Sequence, residues 1–435
     1  ITSSDEISGH FGAVEADVVG QNTIRVNGNL GLHKAYDGYF ASVVNANGQR
    51  SEVGLTLTTY STVQLEGAGT VGTLEGQGTG SDSDVVFAEG EYYPGAATVE
   101  GDIRAIGELT VNNDVNVTGN ITVGAAEINQ ALSAKNVTLE GGENGSSLVT
   151  GTLNATEVLT VGTATQQNTL TVANGSVITR DLVLANGSTL QVGLKAAESD
   201  DPETAFNEAA NYTGSLEAQN VDLGNGGVMV DPVNELQTAF VSFNKFKDAS
   251  KAQNSMDLGT INGSVYVGNN SVLGIGSSDL ASLREYVAAH QNNGALVDYG
   301  SILAVNGQAT LGAGHGIVMT AQQPDEFKAY MAENKWTLNG YNTVANSVYF
   351  GDGTAMKVTA EAINSIGAQN NKNALITISG NDGQLIADGG EILISGEVRA
   401  NRQYTLFTDG NGAVDVVNVD KTTAEAGEGI TVTTE

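Results

Sequence analysis

Acidic residues beside Ser, Asn and Gly are the side chains in this sequence whose types and spacing best suit metal binding. Carboxylate and carbonyl oxygens are the ligands that Ca²⁺ prefers. None of these acids lies in a twelve-residue EF-hand loop, and Asx-Gly turns explain the same segments without a metal. We therefore leave Ca²⁺ open and expect no other cofactor. The weak Ca²⁺ candidates are Asp82, Asp84, Asp382 and Asp409.

Other residue types that could do chemistry are sparse or poorly spaced. The four histidines, His10, His33, His290 and His315, lie far apart and show no metal-ligand spacing. Cysteine is absent, which excludes thiolate nucleophiles and thiolate metal sites. There is no Gly-x-Ser-x-Gly elbow between a strand and a helix, and no Gly-Lys-Ser/Thr phosphate loop. The sequence therefore predicts no catalytic residues and a protein that is not an enzyme.

The formal net charge of −32, from 18 basic and 50 acidic residues, limits the partners. Nucleic acids and anionic membranes both attract Lys and Arg, so we expect neither to bind. The excess of carboxylates indicates either a device against self-pairing or Ca²⁺ binding. No stretch is long and apolar enough for a transmembrane helix, so we expect no membrane insertion. The absence of cysteine in 435 residues favours a bacterial exported protein.

Short strands joined by tight turns must position these residues. Gly is frequent (56), whereas Pro is rare (4) and aromatic residues make up 6% of the chain. An aliphatic-x-aliphatic triplet followed by Gly recurs, with glycines at Gly124, Gly162 and Gly193. Asn-Gly-Ser turns recur, for example at Asn174 and Asn186. Period-two alternation between such turns predicts strands of three to five residues.

Two folds accommodate this pattern. An antiparallel meander, as in a sandwich or barrel, is favoured locally because Asn-Gly is a hairpin signal. A solenoid, in which each strand pairs in parallel with the strand one coil away, accommodates a repeat of any length. Because the pattern continues over hundreds of residues without closing, we predict an all-β fold, a parallel β-helix with short helical insertions. Aliphatic side chains should then stack in inward columns, and inward Asn or Thr should form hydrogen-bonded ladders.

The chain divides softly near residue 95. We predict an N-terminal β-rich module over 1–95 and a β-helix over 96–435. Three segments of the second part combine helix-start signals with amphipathic spacing. These signals predict helical insertions near 199–211, 278–291 and 323–334. A weaker helical pattern covers 359–366.

Aliphatic strands and Asn or Gly turns alternate in the second half of the sequence, at 262–276, 302–312, 345–353, 390–396 and 404–409. In these stretches the sequence resembles the passenger domains of bacterial autotransporters, the type V secretion system. This resemblance implies a right-handed β-helix that is exported across two membranes and commonly serves adhesion, aggregation or biofilm formation. The sequence departs from the family pattern because it contains no translocation barrel and no protease motif, and residues 1–95 match less well.

Two functions follow from these expectations. The first is an extracellular adhesin or self-associating protein of the bacterial surface, whose partners are other copies of itself or a host or matrix glycan or protein. The second is a structural subunit of a surface filament, sheath or layer, assembled with neighbouring subunits by strand complementation. A polysaccharide-acting β-helix enzyme and a phage tail spike are minor alternatives. An enzyme for acidic sugars needs basic and aromatic groups, yet the chain has 18 basic residues and one Trp.

Overall fold

The computed structural model describes a chain of short β-strands that form two compact units. The first unit contains residues 1–180 and 185–188, and the second contains residues 181–184 and 189–435. Strand backbones are described along the whole chain. Side chains are described for 84–90, 94–141, 145–185, 187–193, 214–224, 226–230 and 238–247, and for short pieces within 65–74 and 258–281.

The strands of the first unit are short, as the turn-rich sequence predicts; β20 is shared with the second unit. They are β1 (Thr2–Ser3), β2 (Ile7–Gly9), β3 (Val18–Gly20), β4 (Thr23–Asn27), β5 (Val43–Val44), β6 (Arg50–Ser51), β7 (Leu55–Leu57), β8 (Thr62–Glu66), β9 (Gly69–Val71), β10 (Leu74–Gly76), β11 (Asp84–Ala88), β12 (Ala97–Val99), β13 (Ile103–Val111), β14 (Val115–Val117), β15 (Asn120–Ile128), β16 (Ala131–Leu139), β17 (Ser146–Val149), β18 (Thr152–Val161), β19 (Thr169–Val172) and β20 (Ser176–Leu184).

The second unit continues in the same style. Its further strands are β21 (Thr189–Val192), β22 (Ser215–Asp222), β23 (Gly227–Val230), β24 (Ala239–Phe246), β25 (Asp257–Ile261), β26 (Ser264–Val267), β27 (Ser271–Gly276), β28 (Gln291–Asn292), β29 (Ala295–Leu296), β30 (Ser301–Asn306), β31 (Gln308–Leu311), β32 (His315–Met319), β33 (Asn346–Phe350), β34 (Thr354–Val358), β35 (Ile363–Ile366), β36 (Leu375–Ile378), β37 (Gln384–Ala387), β38 (Glu391–Ile394), β39 (Glu397–Ala400), β40 (Tyr404–Thr408), β41 (Ala413–Val416), β42 (Thr422–Ala424) and β43 (Ile430–Thr434).

Parallel pairing between successive coils confirms the predicted β-helix. Ile103 pairs with Ile121, Ile121 pairs with Val137, and Val137 pairs with Leu159, each in parallel strands. Each partner lies roughly one coil of 16 to 22 residues further along the chain, as a solenoid requires. The antiparallel pairs among the described strands are the two-residue ribbons β5–β6 and β28–β29. The strands wind around an axis, so the meander that Asn-Gly favoured is wrong for this chain.

Three parallel ladders run through the first unit. Ladder 1 contains β7, β10, the first residues of β13 and β15, and the last residues of β16 and β18. Ladder 2 contains β8, β11, the last residues of β13 and β15, and then β17 and β19. Ladder 3 contains β9, β12, β14 and the first residues of β16 and β18. The longer strands change ladder at register shifts, so one strand can serve two faces.

Columns of aliphatic side chains fill the interior, as predicted. One column crosses five coils of ladder 1, and each of its members is at most 1% exposed. Burying such side chains stabilises the fold by roughly 1.5–3 kcal/mol each. The buried polar residues among those described are Ser, Thr and Asn, so the described interior contains no charged side chain. The column consists of Leu74, Ile103, Ile121, Val137 and Leu159.

The glycines of the repeated triplets lie at corners: Gly124 and Gly162 lie where the chain leaves ladder 1, and Gly193 follows β21. Gly162 and Gly193 have φ angles of +77° and +90°, which L-residues with a side chain rarely adopt. At Gly124 a methyl group would collide with the carbonyl oxygen of Ile106 on the preceding coil. The recurring Gly therefore marks corners that need either a positive φ angle or a close approach of the neighbouring coil. The Asn-Gly turn at Asn174 is also a corner, because it joins β19 on ladder 2 to β20.

A buried polar column lies at another corner of the first unit. Asn168 is 1% exposed and donates from Nδ2 to the Gly124 carbonyl oxygen (3.2 Å) and to Ser147 Oγ (3.3 Å). Ser147 Oγ also accepts the Ala126 amide (3.0 Å), and Ser188 Oγ accepts the Asn168 amide (3.2 Å). These bonds link polar groups on successive coils where the ladders are interrupted. We expected inward ladders of Asn or Thr; here a single inward Asn is bonded to Ser side chains and backbone, and its Oδ1 has no partner.

The second unit buries both sides of several strands. All four residues of β23 and all six residues of β27 are buried. In β26, Tyr266 is buried together with its neighbours Val265 and Val267. Tyr266 pairs with Met229, which pairs with Gln191, and this position points outward because Leu190 and Val192 on either side of Gln191 are buried. The outward side chains of these strands are therefore as buried as the inward ones.

Few residues of the predicted helices lie in the part of the chain that the structure describes. Segments 199–211 and 323–334 lie outside the described residues. Within 278–291, Ala281 is helical and Gln291 begins β28, while the other residues lie outside the described part. The weaker helical pattern over 359–366 was wrong at its end, because Ile363–Ile366 forms β35. Parallel pairing with β38 overrides the local helical spacing there.

Candidate functional site

Stacked Asx residues form a hydrogen-bonded row at the start of ladder 1. Asp102 Oδ1 accepts the backbone N–H of Asn120 (2.8 Å) and its side-chain Nδ2 (3.2 Å). Asn136 Nδ2 in turn donates to Asn120 Oδ1 (2.7 Å). We call these three residues the Asx row. The row stops at Asn136, whose buried Oδ1 has no partner, because Val158 occupies the paired position on the next coil.

A similar row follows the end of ladder 2. Asn129 Nδ2 donates to Asn112 Oδ1 (2.8 Å), and Thr150 Oγ1 donates to Asn129 Oδ1 (2.6 Å). Neighbouring Asn113 donates to two backbone carbonyls, those of Gly67 (3.1 Å) and Gly95 (2.8 Å). These amides hold corners of successive coils together. Their hydrogen-bonding groups are used within the fold.

The outward positions of ladder 3 are polar but unused. Thr98 pairs with Asn116, Asn116 pairs with Ser133, and Ser133 pairs with Asn154. Asn116 is exposed and the other three are half-buried. We call these four residues the polar row. In the described part of the chain, no hydrogen bond is made by the side chain of any of the four, in contrast to the Asx row.

Three carboxylates converge on ladder 2, and we call them the acidic cluster: Asp84, Glu108 and Glu127. Asp84 Oδ1 accepts the backbone N–H of Glu108 (2.8 Å), and Glu127 Oε1 accepts Asn129 Nδ2 (2.9 Å). Partial burial and then the charges of Glu127 and Asp84 raise the pKa of Glu108. The cluster is therefore an electrostatically unfavourable feature of this face at neutral pH.

The predicted Ca²⁺ ligands are placed in part. Asp84 lies on β11, where one of its oxygens is used by the Glu108 amide. Asp82, Asp382 and Asp409 lie outside the described residues, as do the side chains of the four histidines and of Trp336. Among the residues that the structure describes, no group of three or more His, Cys, Asp or Glu could hold a metal ion. Ca²⁺ binding at the four aspartates, which the sequence left open, is not tested by the structure.

Comparisons with known proteins return no relative for this chain. No family model, no curated protein and no solved structure matches it. Within the described residues, no helix is long and apolar enough to cross a membrane. The resemblance to autotransporter passengers thus stays a prediction. The described fold and its outward rows are the observations that bear on function.

Sequence reasoning found the coils and missed the outward rows. The polar row brings together residues that are 18, 17 and 21 positions apart, so no fixed period reveals it. A usable signal was present in each triplet, because Thr98, Asn116, Ser133 and Asn154 each stand between two apolar residues. Aligning those triplets coil by coil would have placed the four polar residues side by side.

Proposed function

We propose that this chain is an extracellular adhesin or self-associating protein of the bacterial surface that acts through the outward rows of its β-helix. The observation that supports this proposal most is the polar row, where one outward position repeats over four successive coils. Successive strands of a ladder lie about 4.8 Å apart, so such a row offers evenly spaced contacts. Evenly spaced contacts suit an extended or repetitive partner.

The charge and composition of the chain agree with this proposal. A net charge of −32 disfavours nucleic acid and anionic membranes as partners and keeps free molecules apart. Binding must then use neutral surface, which the polar row supplies. The partner is another copy of the chain or a host or matrix glycan or protein. The resemblance of the second half to autotransporter passengers supports the same role and the same location.

Surface display tests the proposal directly. The chain is fused to an export scaffold on a bacterium without adhesins of its own, and two quantities are measured: the settling rate of the cells, and their retention on arrays of matrix proteins and glycans. We expect faster settling or selective retention. The control is the same fusion with Leu159→Asp, which places a charge in the aliphatic column of ladder 1 and should unfold the first unit.

Two results would contradict the proposal. The first is that cells displaying the folded chain neither settle faster nor bind to any array, which would exclude both self-association and adhesion to a glycan or protein. Equal activity of the Leu159→Asp fusion would show that the β-helix is not the active part. Folding on the cell surface is checked by protease resistance of the displayed chain.

A further inference from the structure

We infer that the polar row of ladder 3 is a binding surface for a neutral polysaccharide. This inference rests on the proposed function, and it names the ligand class and the face that binds it. Four properties of the row carry it: unused hydrogen-bonding groups, even spacing, a mixture of acidic and basic residues around it, and an apolar residue on the following strand.

Hydrogen-bonding capacity distinguishes this row from the other Asx residues of the first unit. The side-chain N–H groups of Asn120 and Asn136 donate to Asp102 and Asn120 on the preceding coils. Asn116 and Asn154 do not, and each offers two N–H donors and one carbonyl acceptor to a ligand. Thr98 and Ser133 add hydroxyl groups that both donate and accept. A ligand that presents many hydroxyl groups matches this set of donors and acceptors.

The spacing of the row favours a polymer over a small molecule. Four residues in register on adjacent parallel strands span roughly 14 Å, at about 4.8 Å per step. Contacts at even intervals bind a chain of similar units along its length, and each unit adds a weak contact. The surface is an open sheet face, so it does not enclose a single sugar.

Charge around the row favours a neutral ligand. On the same side of the same strands, the acidic residues Glu100, Asp114 and Glu157 are partly offset by two basic ones. These are Lys135, which faces Glu157 at 3.8 Å, and Arg180 on the next strand. The acidic cluster on ladder 2, in contrast, consists of carboxylates alone. A neutral polysaccharide meets little repulsion at the polar row, whereas an anionic one is repelled by the −32 net charge of the chain.

An exposed isoleucine extends the face. Strand β20 pairs with β18, and it shows the same alternation of burial at its start. Ile178 points outward there and is 43% exposed, which makes it one of two large hydrophobic side chains exposed in the described residues. Sugar rings present C–H faces as well as hydroxyl groups, so an apolar contact beside the polar row suits them.

The test uses the purified full-length chain and affinity electrophoresis in gels that contain dissolved dextran, galactomannan or xyloglucan, with alginate as the anionic probe. We expect retardation by at least one neutral polysaccharide and none by alginate. The variant Asn116→Ala with Asn154→Ala should weaken binding roughly ten-fold, because two amide contacts are lost. The matched control is Thr122→Ala with Thr160→Ala, outward half-buried residues of ladder 1, and it should bind like the parent chain.

Three outcomes would overturn the inference. They are no retardation by any neutral polysaccharide, equal loss in both variants, and retardation by alginate alone. Circular dichroism and melting temperature of each variant show that the fold is intact.

Sedimentation tests the other occupant of this face, which is a second copy of the chain. If the parent chain associates with itself and Asn116→Ala with Asn154→Ala abolishes this association, the row joins two copies. The proposed adhesive function then stands although the polysaccharide inference fails, and it fails only if displayed cells neither settle nor bind.

Discussion

Both units consist of parallel ladders, but the residues of their strands differ in burial. In the first unit, strands such as β17 and β19 alternate between buried and half-buried or exposed residues. In the second unit, β23 and β27 are buried at every position. Parallel strands that are covered on both faces read as continuous apolar runs, and those with one solvated face alternate. The sequence Thr-Leu-Thr-Val of β19 alternates, whereas Gly-Val-Met-Val of β23 contains no polar side chain.

This difference separates where surface chemistry can take place. An outward residue of the first unit meets solvent, so Thr, Asn and Ser at these positions are available to a partner. An outward residue of β23 or β26 is part of a packed layer, so Met229 and Tyr266 contribute to stability. Substitutions at outward positions should therefore have opposite consequences in the two units.

The largest effect is expected at Tyr266. Tyr266→Ala removes a side chain that is 0% exposed, and truncating a buried aromatic residue costs about 3–5 kcal/mol. Thr160→Ala, at an outward half-buried position of β18, should stay within about 0.5 kcal/mol. The free energy of unfolding from urea titration checks both. Similar losses for the two variants would break the distinction between one-sided and two-sided ladders.

A smaller loss is expected at the buried polar column. Asn168→Ala removes the hydrogen bonds to the Gly124 carbonyl and Ser147 Oγ, which contribute about 0.5–1.5 kcal/mol each. Both groups keep a second partner, the Gly141 amide and the Ala126 amide respectively. Asn116→Ala on the polar row should change stability by less than about 0.5 kcal/mol. Urea titration of the pair measures the difference. Equal stability would show that inward and outward amides of the first unit contribute alike.

A gain is expected where the Asx row ends. Val158→Asn places an amide opposite Asn136, so its N–H group can reach the unpartnered Oδ1. One satisfied hydrogen bond contributes about 0.5–1.5 kcal/mol, and half-buried Val158 loses little apolar burial. The isosteric control Val158→Thr should give a smaller change. A lower melting temperature for Val158→Asn would contradict the idea that the row is limited by this one position.

The smallest effect is expected at the acidic cluster. The pKa of Glu108 is raised in the folded chain, first by burial and then by Glu127 and Asp84, so folding favours its protonated form. Its contribution to stability is present below the unfolded pKa and is lost as pH rises through the raised folded pKa. Glu108→Gln should therefore be more stable than the parent chain at pH 7 and equal to it near pH 4. Melting curves at both pH values test this, and a difference that persists at pH 4 would contradict it.

Much of the fold could be predicted because the same short sequence pattern recurs in successive coils. Apolar residues on either side of one polar residue predicted strands such as β14 and β19, and Gly after the triplet predicted corners such as Gly162. The Asn-Gly signal was ambiguous because a corner between two faces needs the same tight backbone as a hairpin. The division at residue 95 was not tested, although β10 and β11 both pair with β13 across it. The right-handed sense stays a prediction.

The candidate surface could be predicted only in part, because the alternation marks its polar residues but coil length decides which of them meet. Asn120 is paired with Asn136 through a coil of 16 residues, whereas Leu74 is paired with Ile103 through a coil of 29. A slip of one residue would turn the polar row inward and the aliphatic residues outward. Burial selects the correct register, and burial is a property of the whole unit. The four residues of the polar row therefore became neighbours only in three dimensions.

Unequal coils also bear on how such a chain can change over time. The segment between Leu74 and Ile103 is much longer than the one between Ile121 and Val137, yet both keep their partners in one ladder. Extra residues at a corner leave the aliphatic column untouched, and lengthening a surface loop costs little closure entropy. Corners are thus the places where foreign peptides could be grafted for display, and where a lineage could gain new loops without redesigning its core.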